Sequence, residues 1–253
     1  KTCIGQGSNK AAIGGIRATH SEPSKAWLCQ RSIQIFSTWK DEYGEEIEWK
    51  KGGYVYPAYR KEDETVLKNL LCKQKEWKMN IDWLDAKTLL SILPDLNAEG
   101  LLGGTYSPDD GHASPLLSLY AFYKHACAQK AEFHFQETVV GFIKEHRKVI
   151  GIETNKDQYF AEIVLNAAGA WAGELGRLAG ISIPLIPESH EAAITEPVQT
   201  FMQSLVVDIR PMGATENFYF YQHATGQILF CYTPDPPMHG YDTEVTSTFL
   251  PIA

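Results

Sequence analysis

The stretch "EIVLNAAGAWAGELGRLAG", residues 162–180, decides how this chain is interpreted, because an apolar strand-like segment runs into a helical pattern with almost no loop between them. Nothing larger than alanine stands at Ala167, Ala168 and Gly169. Such a turn leaves the first helical N–H groups unpaired, with the positive end of the helix dipole behind them. Small residues there let an anion approach the backbone closely. The alternative is that Gly169 only allows the helix to pack tightly on the strand.

The composition describes a globular protein and excludes several classes. The chain has 253 residues, of which 44% are hydrophobic, enough for one large or two ordinary domains. The formal net charge is -8 and Lys and Arg are scattered among acids, which argues against a nucleic-acid partner. No apolar run approaches the roughly 20 residues of a membrane span, and no leader peptide opens the chain. We therefore expect a soluble, cytoplasmic protein with no membrane span.

The cysteines favour a reducing compartment. The chain has 5 of them, an odd number, widely spaced and without a CxxC pair. No histidine lies near them at the spacing of a metal site, so we expect no structural metal. Cys29 and Cys127 fall within helical patterns and are predicted to be small buried hydrophobes.

Hydrophobic spacing predicts a mixed α/β chain with two sheets. Helices are predicted at 24–43, 61–79, 85–93, 116–131 and 170–179, and the first sheet is assigned four short strands, at 132–136, 138–145, 148–155 and 158–165. A strand is predicted around Tyr54–Tyr56, where Pro57 limits it to a sheet edge or to its own end. Beyond Pro184 the short apolar runs predict a second, largely antiparallel sheet.

The opening segment "CIGQGSNKAAIGGIR", residues 3–17, is a second place where backbone is exposed. It carries Gly5, Gly7, Gly14 and Gly15 around a small polar centre. It is not a GxGxxG motif, so a flexible surface loop is the alternative. Arg17 follows this loop directly, and its guanidinium could pair in bidentate fashion with a carboxylate or a phosphate.

Several further side chains leave a functional and a structural interpretation open. His190 opens a strand of the second sheet and either serves a site or has a structural role, and His20 is equally ambiguous. His112 lies in a turn, where we expect it to be solvated. Asp109 and Asp110 resemble a paired acid site, but in "SPDDGHASP" we expect them to cap the turn and the following helix.

Alternation in "NFYFY" separates two pairs of rings. Tyr219 and Tyr221 lie on one face of a strand, and Phe218 and Phe220 lie on the other. One pair is expected to face the core and the other to line a cavity.

Four segments together carry a family resemblance. "GSNKAAIGGIRATHS", "SPDDGHASP", "HEAAITEPV" and the long run from "ETVVGFI" to "ISIPLIP" follow the order and spacing of FAD-dependent oxidoreductases of the D-amino-acid oxidase family. Within that family the chain most resembles the sarcosine oxidase beta, glycine oxidase and proline dehydrogenase beta branch. The likeness covers nearly the whole chain.

The resemblance implies an interleaved two-domain flavoprotein. Residues 1–48 and 106–183 would form part of a Rossmann-like FAD-binding domain, and residues 49–105 and 184–253 a substrate domain with a mixed, largely antiparallel sheet. The implied reaction is oxidation of a small amino acid or secondary amine by hydride transfer to FAD. Electrons would then pass to oxygen or to an electron-acceptor subunit.

The resemblance also assigns roles to residues. Arg17 would hold the substrate carboxylate, and His190 could face the flavin. Val139 would meet the adenine through its backbone, while Trp171 is either a pyrophosphate neighbour or a core aromatic. The residues expected to contact the flavin or its phosphates are Gly7, Ser8, Gly14, Gly15, Ile16, Ala168, Gly169 and Trp171.

Two segments typical of the family have no counterpart in the sequence. The family begins with a strand and a GxGxxG helix, and a later Gly-rich segment lines the flavin edge. We therefore expect these 253 residues alone to bind FAD poorly or not at all. Two other interpretations remain: an FAD-dependent 2-hydroxy acid or glycerol-3-phosphate dehydrogenase, and a cofactor-free subunit with a binding or assembly role only.

Overall fold

The computed structural model describes all residues, Lys1–Ala253, as a mixed α/β fold. The α-helices are α1 (Pro23–Tyr43), α2 (Lys61–Glu76), α3 (Ala86–Ile92), α4 (Pro115–Ala128), α5 (Ala172–Ala179) and α6 (Phe249–Ile252). The first eight strands are β1 (Gly15–Ile16), β2 (Tyr54–Ala58), β3 (Asp82–Asp85), β4 (Gly103–Ser107), β5 (Gly111–His112), β6 (Val139–Glu145), β7 (Lys148–Thr154) and β8 (Gln158–Phe160). The remaining strands are β9 (Ala192–Ile194), β10 (Leu205–Asp208), β11 (Thr215–Gln222) and β12 (Ile228–Pro234). The predicted fold class is confirmed.

The largest sheet has seven strands in the order β3-β4-β2-β10-β11-β12-β9. Its strands are antiparallel except for the β2–β10 pair, which is parallel. The main core lies against this sheet, where Val55, Leu89 and Val206 are almost completely buried. The sheet thus joins an early part of the chain, β2 to β4, to a late part, β9 to β12.

Pro57 lies near the end of an interior strand. Strand β2 pairs with β4 along its whole length, but β10 pairs with β2 only at Tyr54 and Val55. Pro57 lies beyond that second pairing, where a missing N–H breaks no ladder. The strand-end interpretation is therefore the correct one.

A three-stranded antiparallel meander, β6-β7-β8, forms a separate sheet. The strand predicted at 132–136 is not formed, and the one predicted at 158–165 ends at Phe160. Residues 162–168 have no strand partner, and Ile163 and Leu165 are each 85% exposed. Their apolar alternation is a strand pattern, but it has no neighbour within this chain to pair with.

A two-stranded sheet brings the opening loop to the centre of the molecule. Gly15 pairs with His112 and Ile16 with Gly111. The backbone of Lys50 also exchanges hydrogen bonds with His112. This small sheet places Arg17 beside the side chains of Tyr54 and Tyr56 on one face of β2 and next to "SPDDGHASP".

Two expectations about side-chain environment need correction. Ser114, whose hydroxyl accepts a hydrogen bond from the N–H of Leu117, is the cap of α4, so neither Asp109 nor Asp110 has that role. Cys127 is exposed on α4, because the helix turns this position away from the core, whereas Cys29 is half-buried. No helix is both long enough and apolar enough to cross a membrane.

Candidate functional site

The site is a cavity of about 450 Å³ between the opening loop and one face of the large sheet. We call it the tyrosine cavity; its lining includes Gly14, Gly15, Arg17, Tyr54, Tyr56 and Tyr219. No acidic side chain lines it. Its size is typical of small-molecule sites, and its lining mixes polar and apolar side chains.

Two glycines hold the opening loop against this cavity. Gly14 has φ +85, and a Cβ there would lie 2.4 Å from the carbonyl oxygen of Ala113. A Cβ on Gly15 would lie 2.1 Å from the hydroxyl oxygen of Tyr54. Only glycine lets the backbone come this close at both positions.

Arg17 contributes a cation with no acidic partner. Arg60 and Arg210 pair with Asp63 and Asp208, but Arg17 only donates from Nη1 to the carbonyl oxygen of Thr19 at 2.5 Å. The rest of its guanidinium is available to an anion in the cavity, which supports the predicted role of Arg17.

The tyrosine hydroxyls around Arg17 remain neutral. Burial raises the pKa of both Tyr54 and Tyr219 above the ordinary value. Tyr56 is affected in the same way. The cavity therefore offers uncharged hydroxyl groups and ring faces beside one guanidinium, a lining that suits an ammonium group as well as a carboxylate.

The predicted alternation on β11 is confirmed, and cavities lie on both faces. Tyr219 lines the tyrosine cavity, while Tyr221 is buried and donates its hydroxyl to the carbonyl oxygen of Ile13. Phe218 and Phe220 line a smaller cavity of about 230 Å³ on the opposite face. Tyr221 thus ties the opening loop to the sheet.

His112 is buried, contrary to expectation, and Asp110 is buried as well. Asp110 is 1% exposed and accepts a hydrogen bond from the N–H of Ala18 at 3.0 Å. Burial raises the pKa of Asp110 to about 6. His112 is 4% exposed because β1 and Lys50 cover its backbone on both sides, and burial lowers the pKa of His112 to about 4. Of these three side chains only Asp109 is solvated, and its Oδ1 lies 2.6 Å from Nζ of Lys51.

Besides the opening loop, the turn before α5 is the other segment in which the sequence predicts exposed backbone N–H groups. Gly169 has φ +56, and a Cβ there would meet nothing within 4 Å. Asn166 holds the turn by donating to the carbonyl oxygen of Ala172 at 2.9 Å and accepting from the N–H of Ala168 at 3.2 Å. Trp171 is 42% exposed and stacks on Tyr241, which excludes the core interpretation of this ring.

The start of the chain, just before the opening loop, contacts the turn before α5. Lys1 precedes the opening loop, and its Nζ lies 5.3 Å from the centroid of the Trp171 ring. Within the opening loop Gly7, like Gly169 in the turn before α5, has open space where a Cβ would stand, whereas Gly14 and Gly15 are packed against neighbouring residues. Ser8 begins a short, exposed 3₁₀ helix immediately after Gly7.

The remaining predicted residues lie elsewhere. Ile16 packs against a core cluster beneath α1. Val139 begins β6 and pairs with Thr154. His190 precedes β9, is exposed, and has Glu188 as its nearest acidic partner at 3.9 Å. The tyrosine cavity brings together Gly14, Gly15 and Arg17 but does not include His190.

Comparison with known proteins identifies the family. The family model described as "FAD dependent oxidoreductase" matches residues 2–251. This chain belongs to that family. It is 24% identical over 222 residues to human mitochondrial dimethylglycine dehydrogenase, covering 87% of this chain and 25% of that protein. It is 26% identical over 165 residues to mouse mitochondrial sarcosine dehydrogenase, covering 63% of this chain and 18% of that protein.

A solved structure resembles the whole chain. L-Proline dehydrogenase from P. horikoshii superimposes with a TM-score of 0.89 at 27% identity, covering 99% of this chain and 66% of the other. The chain therefore spans a quarter or less of the two enzymes above and about two thirds of this structural neighbour.

The family indicates FAD as the cofactor, and the residues present fit it. The open backbone at Gly7 and at Gly169 can accept a phosphate-bearing group without steric conflict. Gly14 and Gly15 bring the loop to the rim of the tyrosine cavity. Sequence reasoning missed Tyr54 and Tyr56, although the alternation in "YVYPAY" places both on one face of β2.

Proposed function

We propose that this chain belongs to an enzyme that oxidises a small amino acid or secondary amine carrying a carboxylate, with the substrate bound in the tyrosine cavity. The observation that carries the proposal is the guanidinium of Arg17, which lines this cavity without an acidic partner while Gly14 and Gly15 form the adjacent rim. Relatives named sarcosine, dimethylglycine and proline dehydrogenase support this substrate class.

Each group in the cavity has a distinct task. Arg17 pairs with the substrate carboxylate and thereby fixes where the rest of the molecule lies. The rings and hydroxyls of Tyr54, Tyr56 and Tyr219 surround the amine, and ring faces attract an ammonium or N-methyl group. Leu205 and Val207 add apolar side chains to the lining, against which the carbon atoms of a small substrate can pack.

FAD supplies, when bound, the acceptor for the hydride equivalent that leaves the carbon beside the amine. Gly7, Ser8 and the turn at Ala168, Gly169 and Trp171 would hold its phosphates, and Gly14 and Gly15 its ring. The imine product then hydrolyses in water. These assignments rest on the open backbone at both turns and on the position of the loop beside Arg17.

The electron acceptor is proposed to be a partner rather than oxygen. Both curated relatives and the structural neighbour are named dehydrogenases. Purified full-length protein should therefore reduce an artificial dye much faster than it consumes oxygen when substrate is added. Oxygen consumption at the same rate as dye reduction would assign the protein to the oxidases instead.

The substrate class is tested by anaerobic bleaching of the bound flavin. Each candidate is paired with the amine that lacks its carboxylate: L-proline with pyrrolidine, sarcosine with dimethylamine, and glycine with methylamine. We expect one carboxylated member to bleach the flavin and its partner amine to do so far less. Bleaching by a 2-hydroxy acid or by glycerol-3-phosphate, and by none of the amines, would favour an alcohol-oxidising enzyme. A colourless protein would favour the cofactor-free subunit.

A further inference from the structure

Two polar side chains that line the tyrosine cavity have no task in the proposed function. They are Asn217 on β11 and Thr233 on β12. The two residues lie directly opposite each other in the antiparallel ladder, and the hydroxyl of Thr233 donates to Oδ1 of Asn217 at 3.1 Å. Cross-strand neighbours of this kind share one face of a sheet. The pair therefore forms a polar patch in the wall of the cavity.

The carboxamide of Asn217 keeps a hydrogen-bond donor that the fold does not use. Its Oδ1 is occupied by the hydroxyl of Thr233, and this bond orients the carboxamide so that its amide nitrogen, with two N–H groups, faces the other way. No group of the protein accepts a hydrogen bond from Nδ2. Asn217 is only half-buried and lines the cavity, so this nitrogen can donate to a molecule bound there.

This donor lies at the end of the cavity opposite Arg17. Arg17 lies beside the tyrosines of β2, and the strand order β2-β10-β11 places Asn217 two strands away, about 10 Å across the sheet. Along β11, Asn217 lies four residues, or roughly 13 Å, from Tyr221, which holds the opening loop. Glycine and sarcosine have a single carbon between carboxylate and amine. A molecule that contacts both ends of the cavity must therefore be longer than either.

The charge of the lining decides what kind of group fits beside Asn217. Arg17 is the only charged side chain that lines the cavity, and in the proposed function it pairs with the substrate carboxylate. A second carboxylate would be enclosed without a cation, which is unfavourable. An uncharged amide oxygen needs only a donor, and Nδ2 of Asn217 supplies one. The group that fits this end of the cavity is therefore a neutral acceptor.

We propose that Asn217 is a specificity residue and that the substrate carries, besides its carboxylate and amine, an arm that ends in an uncharged amide. Nδ2 of Asn217 donates to the amide oxygen of this arm, while Thr233 holds the carboxamide in place. Arg17 selects the carboxylate at one end of the substrate, and Asn217 selects the amide at the other. This inference rests on the proposed function, because that function places the carboxylate on Arg17.

The test compares three N-substituted glycines that share the carboxylate and the secondary amine and differ at the end of the arm. N-(2-carbamoylethyl)glycine ends in an amide, N-(3-methylbutyl)glycine has the same shape without polar atoms, and N-(3-aminopropyl)glycine ends in an ammonium group. Binding is measured by calorimetry on full-length, flavin-loaded protein whose flavin is reduced beforehand, so that no compound is oxidised. We expect wild type to bind the amide compound roughly tenfold more tightly than the methylbutyl compound. Equal or weaker binding of the amide compound would overturn the inference, as would binding of none of the three.

Variants of Asn217 should change which compound is preferred. Asn217→Leu removes the donor and should bind the methylbutyl compound at least as tightly as the amide compound. Asn217→Asp places a carboxylate at the same point and should bind the aminopropyl compound roughly tenfold more tightly than the amide compound. Glu216→Gln, at the exposed neighbouring position, is the control and should keep the wild-type order. A wild-type order of affinities in both Asn217 variants would overturn the inference, because a merely structural role of Asn217 would not reverse a preference.

The same titrations in Arg17→Ala separate this inference from the proposed function. All three compounds carry the same carboxylate, so Arg17→Ala should weaken their binding by a similar factor and leave their order unchanged. If Arg17→Ala weakens all three while the Asn217 variants keep the wild-type order, only the inference about the amide arm fails. If Arg17→Ala weakens none of them, the carboxylate is not bound by Arg17 and the proposed function fails with it.

Discussion

Replacing Asp110 by asparagine should make the protein more stable at neutral pH. Burial raises the pKa of Asp110 from 3.8 to about 6 in the folded state. The folded protein then binds more protons at this group than the unfolded chain does between about pH 4 and pH 6. The free energy of unfolding therefore falls as pH rises through that window, by about 3 kcal/mol for a shift of this size. Above about pH 6 the ionisation of Asp110 lowers the free energy of unfolding no further.

Asparagine is neutral at every pH and can still accept the N–H of Ala18 through its Oδ1. We expect Asp110→Asn to be up to about 3 kcal/mol more stable than wild type at pH 7.5 and nearly equal to it at pH 4. For a domain of this size, such a gain raises the melting temperature by roughly 6–12 °C.

The measurement is urea unfolding of wild type and Asp110→Asn across pH 4 to 8. Asp109→Asn is the matched control, because the carboxyl group of Asp109 is solvated and its pKa is lowered rather than raised. That control should gain nothing at pH 7.5. If Asp110→Asn is no more stable than wild type at pH 7.5, or if its stability depends on pH as that of wild type does, the carboxyl group is not held in the environment described here.

Two further predictions concern the same region, and a third concerns the turn before α5. Burial lowers the pKa of His112 from 6.5 to about 4, so between these pH values the folded state binds fewer protons there than the unfolded chain, and the free energy of unfolding should fall as the pH drops. His112→Gln should reduce this acid sensitivity in the same urea titration. If the free energy of unfolding of His112→Gln depends on pH as that of wild type does, His112 is not buried as described. Gly15→Ala should lower the free energy of unfolding in urea by about 1–3 kcal/mol, because its Cβ would meet the Tyr54 hydroxyl at 2.1 Å. Gly7→Ala, with nothing within 4 Å of its Cβ, should change it by no more than about 0.5 kcal/mol. Equal effects of the two changes would mean that the loop does not pack on Tyr54. Asn166→Ala removes both hydrogen bonds that hold the turn before α5. In the full-length protein it should weaken FAD binding by roughly tenfold in a fluorescence titration. Unchanged affinity would mean that this turn does not hold the cofactor.

Local patterns were sufficient to predict most of the secondary structure. The bounds predicted for α1 and α3 agree with the structure to within one residue. Helix α1 ends before Gly44, which has the left-handed conformation, and α3 begins after Asp85, which caps it by accepting from the N–H of Thr88. The β6–β7–β8 meander and the alternation along β11 follow from period-two spacing alone. These features depend on residues close together in sequence.

The errors arise where distant segments meet. His112 and Asp110 lie in a turn-rich sequence, but pairing of β5 with β1, almost a hundred residues earlier in the chain, buries both. Ile163 and Leu165 have a strand pattern, but a strand forms only where a neighbour pairs with it. For the same reason the sequence indicated Arg17 but not the tyrosines of β2 that surround it.

The central claim is that Arg17 in the tyrosine cavity binds the carboxylate of an amine substrate. The most direct test measures the affinity of the flavin-loaded protein for the bleaching amino acid and for the matched amine without a carboxylate, in wild type and in Arg17→Ala. Removing one partner of a desolvated charge pair costs about 2–3 kcal/mol, so the variant should lose roughly 30- to 150-fold in affinity for the amino acid and little for the amine. Equal losses for both compounds, or no loss for either, would contradict the account.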